Sequence, residues 1–171
     1  MRGVVERFVV TVLMLAAIAG GARADAVGEV TGLPIPRFVS LAADVANLRL
    51  GPRRSYDVIA IYRRRGLPLR VVGEFDNWRE VVDFDGERGW MHTSLLSGRR
   101  TVMVHVETAV LRRLPAADGP AIARIAPGVV ADLLRCDGEL PWCFVEVEGR
   151  RGWLARDRLW GVDPVSAASQ G

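Results

Sequence analysis

The chain has 171 residues, half of them hydrophobic and a quarter charged, and its 23 basic residues, all arginine, nearly balance 20 acidic ones. Nucleic-acid-binding proteins concentrate positive charge on one surface with a large positive balance, so this composition argues against that class of partner. The length is enough for one ordinary domain or two small ones.

Residues 1–24 have the pattern of a secretory signal peptide. Arg2 and Arg7 precede an apolar stretch at residues 8–19, and Ala22-Arg23-Ala24 provides a cleavage site before Asp25. The apolar stretch is shorter than the roughly 20 residues that span a bilayer. We therefore expect cleavage after Ala24, a periplasmic location, and no stable membrane insertion of the mature protein.

Two copies of one sequence unit follow a predicted extended lead-in with a mobile start at residues 25–36. Residues 78–90 begin with Trp, turn at Asp85-Gly86 and end in Gly-Trp, and residues 142–153 repeat this pattern with a turn at Glu148-Gly149. Apolar residues alternate on the first arm of each copy, which predicts β-hairpins with one buried face. The buried positions predicted for these arms are Val82 and Phe84 in the first copy and Val145 and Val147 in the second.

Each copy contains five or six short strand patterns separated by Gly and Pro turns, without a long helical period. This arrangement predicts an all-β fold of two tandem small β-barrels after the signal peptide. The first predicted domain spans residues 37–104 and ends with a strand at Thr101–Val104, the second spans 105–163, and 164–171 form a flexible tail. The junction has no Gly-, Pro- or Ser-rich spacer, so we expect the domains to touch.

Cys136 and Cys143 flank a turn sequence within the second predicted hairpin. Antiparallel arms would bring them within disulfide reach, and export places them in an oxidising compartment. We therefore predict a Cys136–Cys143 disulfide. A metal site is disfavoured because four ligands are normally needed, whereas His92 lies in the other copy and His105 at the junction.

Three motifs resemble the bacterial SH3-like domain family, and the similarity covers about residues 38–162: Asn47-Leu-Arg49-x-Gly-Pro52, Glu74-Phe-Asp-Asn-Trp78, and the turn Gly followed by Gly89-Trp90. The similarity extends to exported two-domain proteins of Gram-negative bacteria. It implies partly open five-stranded barrels that bind peptides or cell-wall material and have no catalytic residues or cofactor. Such domains target or scaffold an attached catalytic domain, and we expect none in this chain. The second copy departs from the first motif, with Val110 for the Asn and Leu114 for the Gly.

The resemblance places the tryptophan that begins each hairpin beside a peptide groove, although either one could instead cap the core. Trp90 and Trp153 are predicted to be core residues, whereas Tyr56 and Trp160 fit either a stacking platform or a plug. A basic rim near Trp78 could form from Arg49, Arg53 and Arg54 beside the first loop together with Arg63, Arg64 and Arg65 at the next turn. Nearby acids could pair with this rim and leave it nearly neutral: Asp76, Glu80, Asp83, Asp85 and Glu87. Aromatic and arginine side chains together suit peptide carboxylates, phosphates and sugar faces. The candidate ligand-binding residues are Trp78, Tyr56, Arg49, Arg53 and Trp142.

The leading hypothesis is a non-catalytic periplasmic module that binds peptidoglycan peptides or an envelope protein. The alternative is a structural accessory subunit of an envelope complex, with no ligand groove of its own. A hydrolase is disfavoured because His92, Thr93 and Ser94 are too close in sequence to face one another productively. The oligomeric state is not predicted.

Overall fold

The computed structural model describes residues 26–136 and 140–163. The predicted signal peptide, the predicted tail at 164–171 and residues 137–139 between the two cysteines lie outside the described residues. Within the described ranges, no helix has the length and apolar character needed to cross a membrane.

Two seven-stranded antiparallel sheets account for most of the structure, and their strands follow the same relative order. The predicted all-β architecture of two repeated modules is confirmed. The first sheet contains β3 (Arg37–Leu41), β4 (Ala46–Arg49), β5 (Val58–Tyr62), β6 (Pro68–Phe75), β7 (Trp78–Val82), β8 (Arg88–His92) and β9 (Leu96–Ser97). The second contains β10 (Thr101–Val104), β11 (Ala109–Arg112), β12 (Ala121–Ile125), β13 (Val130–Arg135), β14 (Trp142–Val147), β15 (Arg150–Ala155) and β16 (Leu159–Trp160).

The glycine of each Gly-Trp pair lies where two strands approach closely. A Cβ on Gly89 would be 2.7 Å from the Arg49 carbonyl oxygen, and one on Gly152 would be 2.7 Å from that of Arg112. Both distances are too short for a real Cβ, so glycine lets β4 and β11 pair closely with strands β8 and β15 of the hairpins. The predicted hairpins themselves are present as β7–β8 and β14–β15.

Strand β10 belongs to the second module. The sequence prediction makes it the last strand of the first domain, but it pairs with β13 and β16 in the second sheet. It therefore occupies the place that β3 has beside β6 and β9. All four of its residues are buried, so its sequence has no alternation to indicate its partners.

The side-chain directions differ from the predicted ones in the first hairpin and at two tryptophans. Val81 faces the first core, while Val82 is half-buried and Phe84 lies beyond β7 with 41% exposure. Val145 and Val147 are buried in the second module as predicted. Trp90 and Trp153 are half-buried and lie outside the buried core. Each follows an inward-facing glycine, and alternation turns the next side chain outward.

Trp160 at the end of β16 joins the two modules. Its ring makes edge contacts with Phe38 and Phe84 of the first module, at centroid distances of 5.2 and 5.8 Å. The Arg70 guanidinium lies 5.5 Å from its ring centre. Thr101 Oγ1 also donates a 2.6 Å hydrogen bond to the Gly66 carbonyl across the junction. The expected contact between the modules is therefore present, and Trp160 is a plug at that contact.

Residues 26–35 form a small hairpin in place of the expected extended lead-in. Its strands β1 (Ala26–Val27) and β2 (Pro34–Ile35) pair antiparallel. The turn between them is fixed to Glu74 of β6, which accepts hydrogen bonds from the backbone N–H groups of Val30 and Thr31. The beginning of the described chain is thus attached to the first module.

Candidate functional site

A groove lies at the equivalent place in each module, with a volume of about 300 Å³ in the first and about 320 Å³ in the second. Each groove lies along β4 or β11 and reaches the tryptophan that begins the next hairpin and the short 3-10 turn after it. The first groove is lined by Val45, Ala46, Asn47, Arg49, Arg54, Trp78, His92, Ser94 and Leu95. The second is lined by Thr108, Ala109, Val110, Arg112, Ala117, Trp142, Ala155, Asp157 and Arg158.

Trp78 and His92 form the aromatic end of the first groove. The two residues are cross-strand partners, and their rings meet edge to face at 5.4 Å. His92 Nδ1 accepts a 3.2 Å hydrogen bond from the Ser94 backbone N–H and lies 2.8 Å from Ser94 Oγ. A neutral ring therefore carries its proton on Nε2. The ring is oriented by its own turn, which leaves the Nε2 N–H as its remaining hydrogen-bond donor.

Arg49 holds the loop beside the groove closed. Its Nη1 donates to the carbonyl oxygens of Arg54 and Tyr56 at 2.9 and 2.8 Å. Arg112 does the same in the second module with a 2.6 Å bond to the Gly119 carbonyl. Both arginines line their grooves, but these contacts give them a structural role in shaping the loop.

The structure brings only some of the predicted ligand-binding residues together. Trp78 and Arg49 line the first groove, and Trp142 lines the second. Tyr56 lies against Gly51 with 44% exposure, outside the groove lining, and Arg53 is exposed beside it. The guanidinium next in sequence, Arg54, is the one that lines the groove.

The sequence interpretation missed the groove roles of four residues. Asn47 lies in a motif and Arg54 in the basic rim noted in the sequence. His92 and Ser94 were considered for catalysis, and His92 also for a metal site, and both roles were disfavoured. The spacing of His92 and Ser94 could have indicated their contact. A side chain just before a helical turn can accept a hydrogen bond from a backbone N–H within that turn.

The second groove has different chemistry at the matching positions. Val110 replaces Asn47, Ala155 replaces His92 and Asp157 replaces Ser94, as the paired strands and turns align. Trp142 is more exposed than Trp78. Asp157 and Arg158 form a 3.6 Å ion pair at the end of this groove. The two grooves thus share a shape but offer a ligand different polar groups.

The hairpin tip that holds each groove tryptophan is fixed in two different ways. In the first module, Glu74 and Arg79 are cross-strand partners, and their side chains form a 3.5 Å ion pair. In the second, the predicted Cys136–Cys143 disulfide is confirmed, with Cα atoms 4.3 Å apart. Both pairs follow the same bulge, between Val71 and Gly73 in the first module and Leu133 and Arg135 in the second. The ion pair of the first module therefore occupies the position that the disulfide has in the second.

Glu74 is the centre of a buried polar cluster. Its side chain is 1% exposed and accepts hydrogen bonds from Thr31 Oγ1 and Arg37 Nη2, both at 2.7 Å. Burial alone would raise the pKa of this carboxyl. The hydrogen bonds from Thr31, Arg37 and the backbone of Val30 outweigh it and lower the pKa to about 2. The carboxylate therefore remains charged throughout the neutral range.

Only part of the predicted basic rim borders the first groove: Arg49 and Arg54 line it, whereas Arg63, Arg64 and Arg65 do not. Arg65 pairs with Asp44 at 3.0 Å, and Arg64 and Arg65 line a separate cleft between the modules. Two of the acids expected to neutralise the rim have other partners: Glu80 pairs with Arg88, and Asp83 accepts a 2.7 Å hydrogen bond from Tyr62. Burial, together with the Asp83 carboxylate, raises the pKa of Tyr62, so the phenol remains a donor.

Residues 42–98 and 105–161 each match the sequence profile of the bacterial SH3 domain. Among solved structures, the chain is similar to NlpC2 from Trichomonas vaginalis, with 14% identity and a TM-score of 0.34 over 75% of this chain and 50% of that one. It is also similar to an NlpC/P60 family protein from Bacillus cereus, with 15% identity and a TM-score of 0.33 over 75% and 57% of the two chains. The chain thus spans about half the length of these structures. The comparison with curated proteins gives no match.

Proposed function

The chain belongs to the bacterial SH3 domain family, and we propose that it is a non-catalytic tandem binding module of the periplasm whose first groove takes a carboxylate-bearing cell-wall peptide. Bacterial SH3 domains are binding modules, often for the cell wall. The predicted signal peptide supports the periplasmic location.

The observation that carries this proposal is the convergence of hydrogen-bond donors beside Trp78. Arg54, the Asn47 amide and the His92 ring line one groove with the tryptophan. Guanidinium and N–H donors suit a carboxylate, and the aromatic edge suits the apolar part of a peptide. Stem peptides of peptidoglycan carry both features.

The test is co-sedimentation of the mature protein with purified cell-wall sacculi. We expect pelleting that falls about tenfold in affinity in Arg54→Ala and His92→Ala, because each variant removes a donor to a charged group. Arg53→Ala is the matched control: it removes the same charge from the adjacent, exposed residue outside the groove. Equal losses in Arg53→Ala and Arg54→Ala would indicate general charge attraction and would contradict the proposal.

The alternative function is a structural accessory subunit of an envelope complex. The observation in its favour is the burial of Trp78, which is 9% exposed and so presents little surface to a ligand. This function would be favoured if neither the folded wild-type protein nor the folded Trp78→Phe variant pelleted with sacculi. Cross-linking in the periplasm would then identify the partner.

A further inference from the structure

Strand β5 of the first module is an open and apolar sheet edge. It lies at one end of its sheet and is paired only with β4. Val58, Ile59 and Ile61 on this strand are 40%, 39% and 54% exposed. Proteins usually protect such edges with charges or proline, because unpaired backbone groups beside apolar side chains recruit another strand.

The matching edge of the second module is protected. Strand β12 also lies at one end of its sheet. Its register on β11 places Arg124 where the first module has Ile61, and Pro120 immediately precedes the strand. A charge and a proline are the usual devices that block pairing at an edge. The two modules therefore differ at this strand in their capacity to pair with another chain.

The sequence of β5 and its flanks is complementary to itself in an antiparallel pair. If two copies pair with Ala60 opposite Ala60, then Ile59 faces Ile61 and Asp57 faces Arg63. Asp57 and Arg63 have exposed side chains with no ion pair among the described residues. Sliding the register by one residue places either Asp57 opposite Tyr62 or Val58 opposite Arg63. The first slide loses the charge match, and the second keeps an acid opposite an arginine, Asp57 opposite Arg64, but loses an apolar match, so the centred register alone keeps both.

We propose that β5 is the contact strand of a symmetric dimer in which it pairs antiparallel with β5 of a second copy of this chain. A two-fold axis through the Ala60 pair gives four apolar cross-strand contacts bounded by two Asp57–Arg63 ion pairs, as an isologous interface requires. No residue of β5 lines either groove. The contact strand of the dimer therefore lies outside both grooves.

The test is sedimentation velocity of the mature protein over roughly a hundred-fold range of concentration, since an edge contact of this size gives a concentration-dependent dimer. Ile61→Arg reproduces the charge found at Arg124, and we expect it to weaken dimerisation by more than about tenfold. Ala121→Arg is the matched control on the exposed start of β12 and should leave dimerisation unchanged.

A charge exchange tests the register. Asp57→Arg and Arg63→Asp should each weaken the dimer about tenfold, because each places like charges opposite one another, and the double variant should restore it. Both side chains are exposed, so folding is unaffected, and the Trp emission spectrum checks this. A wild type that stays monomeric at every concentration overturns the proposal, as does a dimer that survives Ile61→Arg or is not restored in the double variant.

Discussion

The β6–β7 tip of the first module and the β13–β14 tip of the second have the same structural role but are held by different interactions. Each tip fixes the tryptophan that begins the next strand and borders a groove. The first uses the Glu74–Arg79 ion pair and the second uses the Cys136–Cys143 disulfide, at matching cross-strand positions. The module therefore requires that the two strands of the tip be linked, by either kind of interaction. The kind of link decides whether the tip is weakened by acid or by reductant. Glu74 of the ion pair also holds residues 26–35, which the disulfide does not.

Of the changes that test this difference between the tips, neutralising Glu74 is expected to have the largest effect on stability. Glu74→Gln keeps the shape but leaves Arg37 and Arg79 without their charged partner in a buried site, which should lower the free energy of unfolding by about 4 kcal/mol. Chemical denaturation followed by Trp fluorescence measures the loss. Asp44→Asn, which neutralises the exposed partner of Arg65, is the control and should leave stability unchanged. Equal effects would show that the buried charge of Glu74 contributes no more to stability than the exposed charge of Asp44.

Acid should loosen the first tip and spare the second. The pKa of Glu74 is about 2 in the folded protein against an ordinary 4.5. A lowered pKa stabilises the folded state fully above the ordinary value, and this contribution is lost as the pH falls from about 4.5 towards 2. This contribution to the free energy of unfolding is about 3 kcal/mol.

Hydrogen exchange measures this loss. The β6–β7 amides should lose protection relative to the β13–β14 amides as the pH falls from about 4.5 towards 2. Glu74→Gln should abolish the pH dependence of this difference, and a pH dependence that persists in this variant would assign it to other groups.

Reduction should have the opposite selectivity. The disulfide closes a short loop, with a sequence separation of 7, so its loss should cost about 2 kcal/mol on the chain-entropy account. We expect reductant to lower the protection of β13–β14 amides and to leave β6–β7 unchanged. Loss of protection in both tips would mean that the modules unfold as one unit.

The smallest effect is expected at an exposed ion pair on the first hairpin. Arg88 and Glu80 are 2.7 Å apart, but the Arg88 side chain is 60% exposed. Solvent screening leaves such a pair with at most about 0.5 kcal/mol, so Arg88→Ala should barely change the denaturation midpoint. A loss close to that of Glu74→Gln would show that burial does not distinguish the two ion pairs.

Local features of the fold were predictable from the sequence, whereas features that depend on distant partners were not. The Gly-Trp hairpins and the Cys136–Cys143 bridge lie within short stretches of chain, where turn residues and alternation reveal the pairing. The second-module position of β10 was missed because its partners β13 and β16 come later in the chain. The outward direction of Trp90 was missed for the same reason, since the inward face at Gly89 is set by the close approach of the distant residues Leu48 and Arg49.

The candidate site was predictable only in outline. The resemblance led to Trp78 and Trp142, and the arginines beside the first loop led to Arg49; all three residues line grooves. The sequence did not separate Arg54 from Arg53, because adjacent loop residues differ in direction only once the loop is closed by Arg49. The buried role of Glu74 was also hidden, since its donors come from residues more than 30 positions away as well as from Arg79.

Because Trp160 lies in β16, the first module stays incomplete until the strands of the second have been synthesised. The strands of the first module are all synthesised before the chain reaches β16, yet Trp160 covers part of Phe38 and Phe84. Until then the first module presents an aromatic surface with no cover. Surfaces of this kind are where incomplete chains associate wrongly. Strand β16 of the second module therefore completes the cover of the first, and we expect a chain that lacks β16 to associate more readily than the full one.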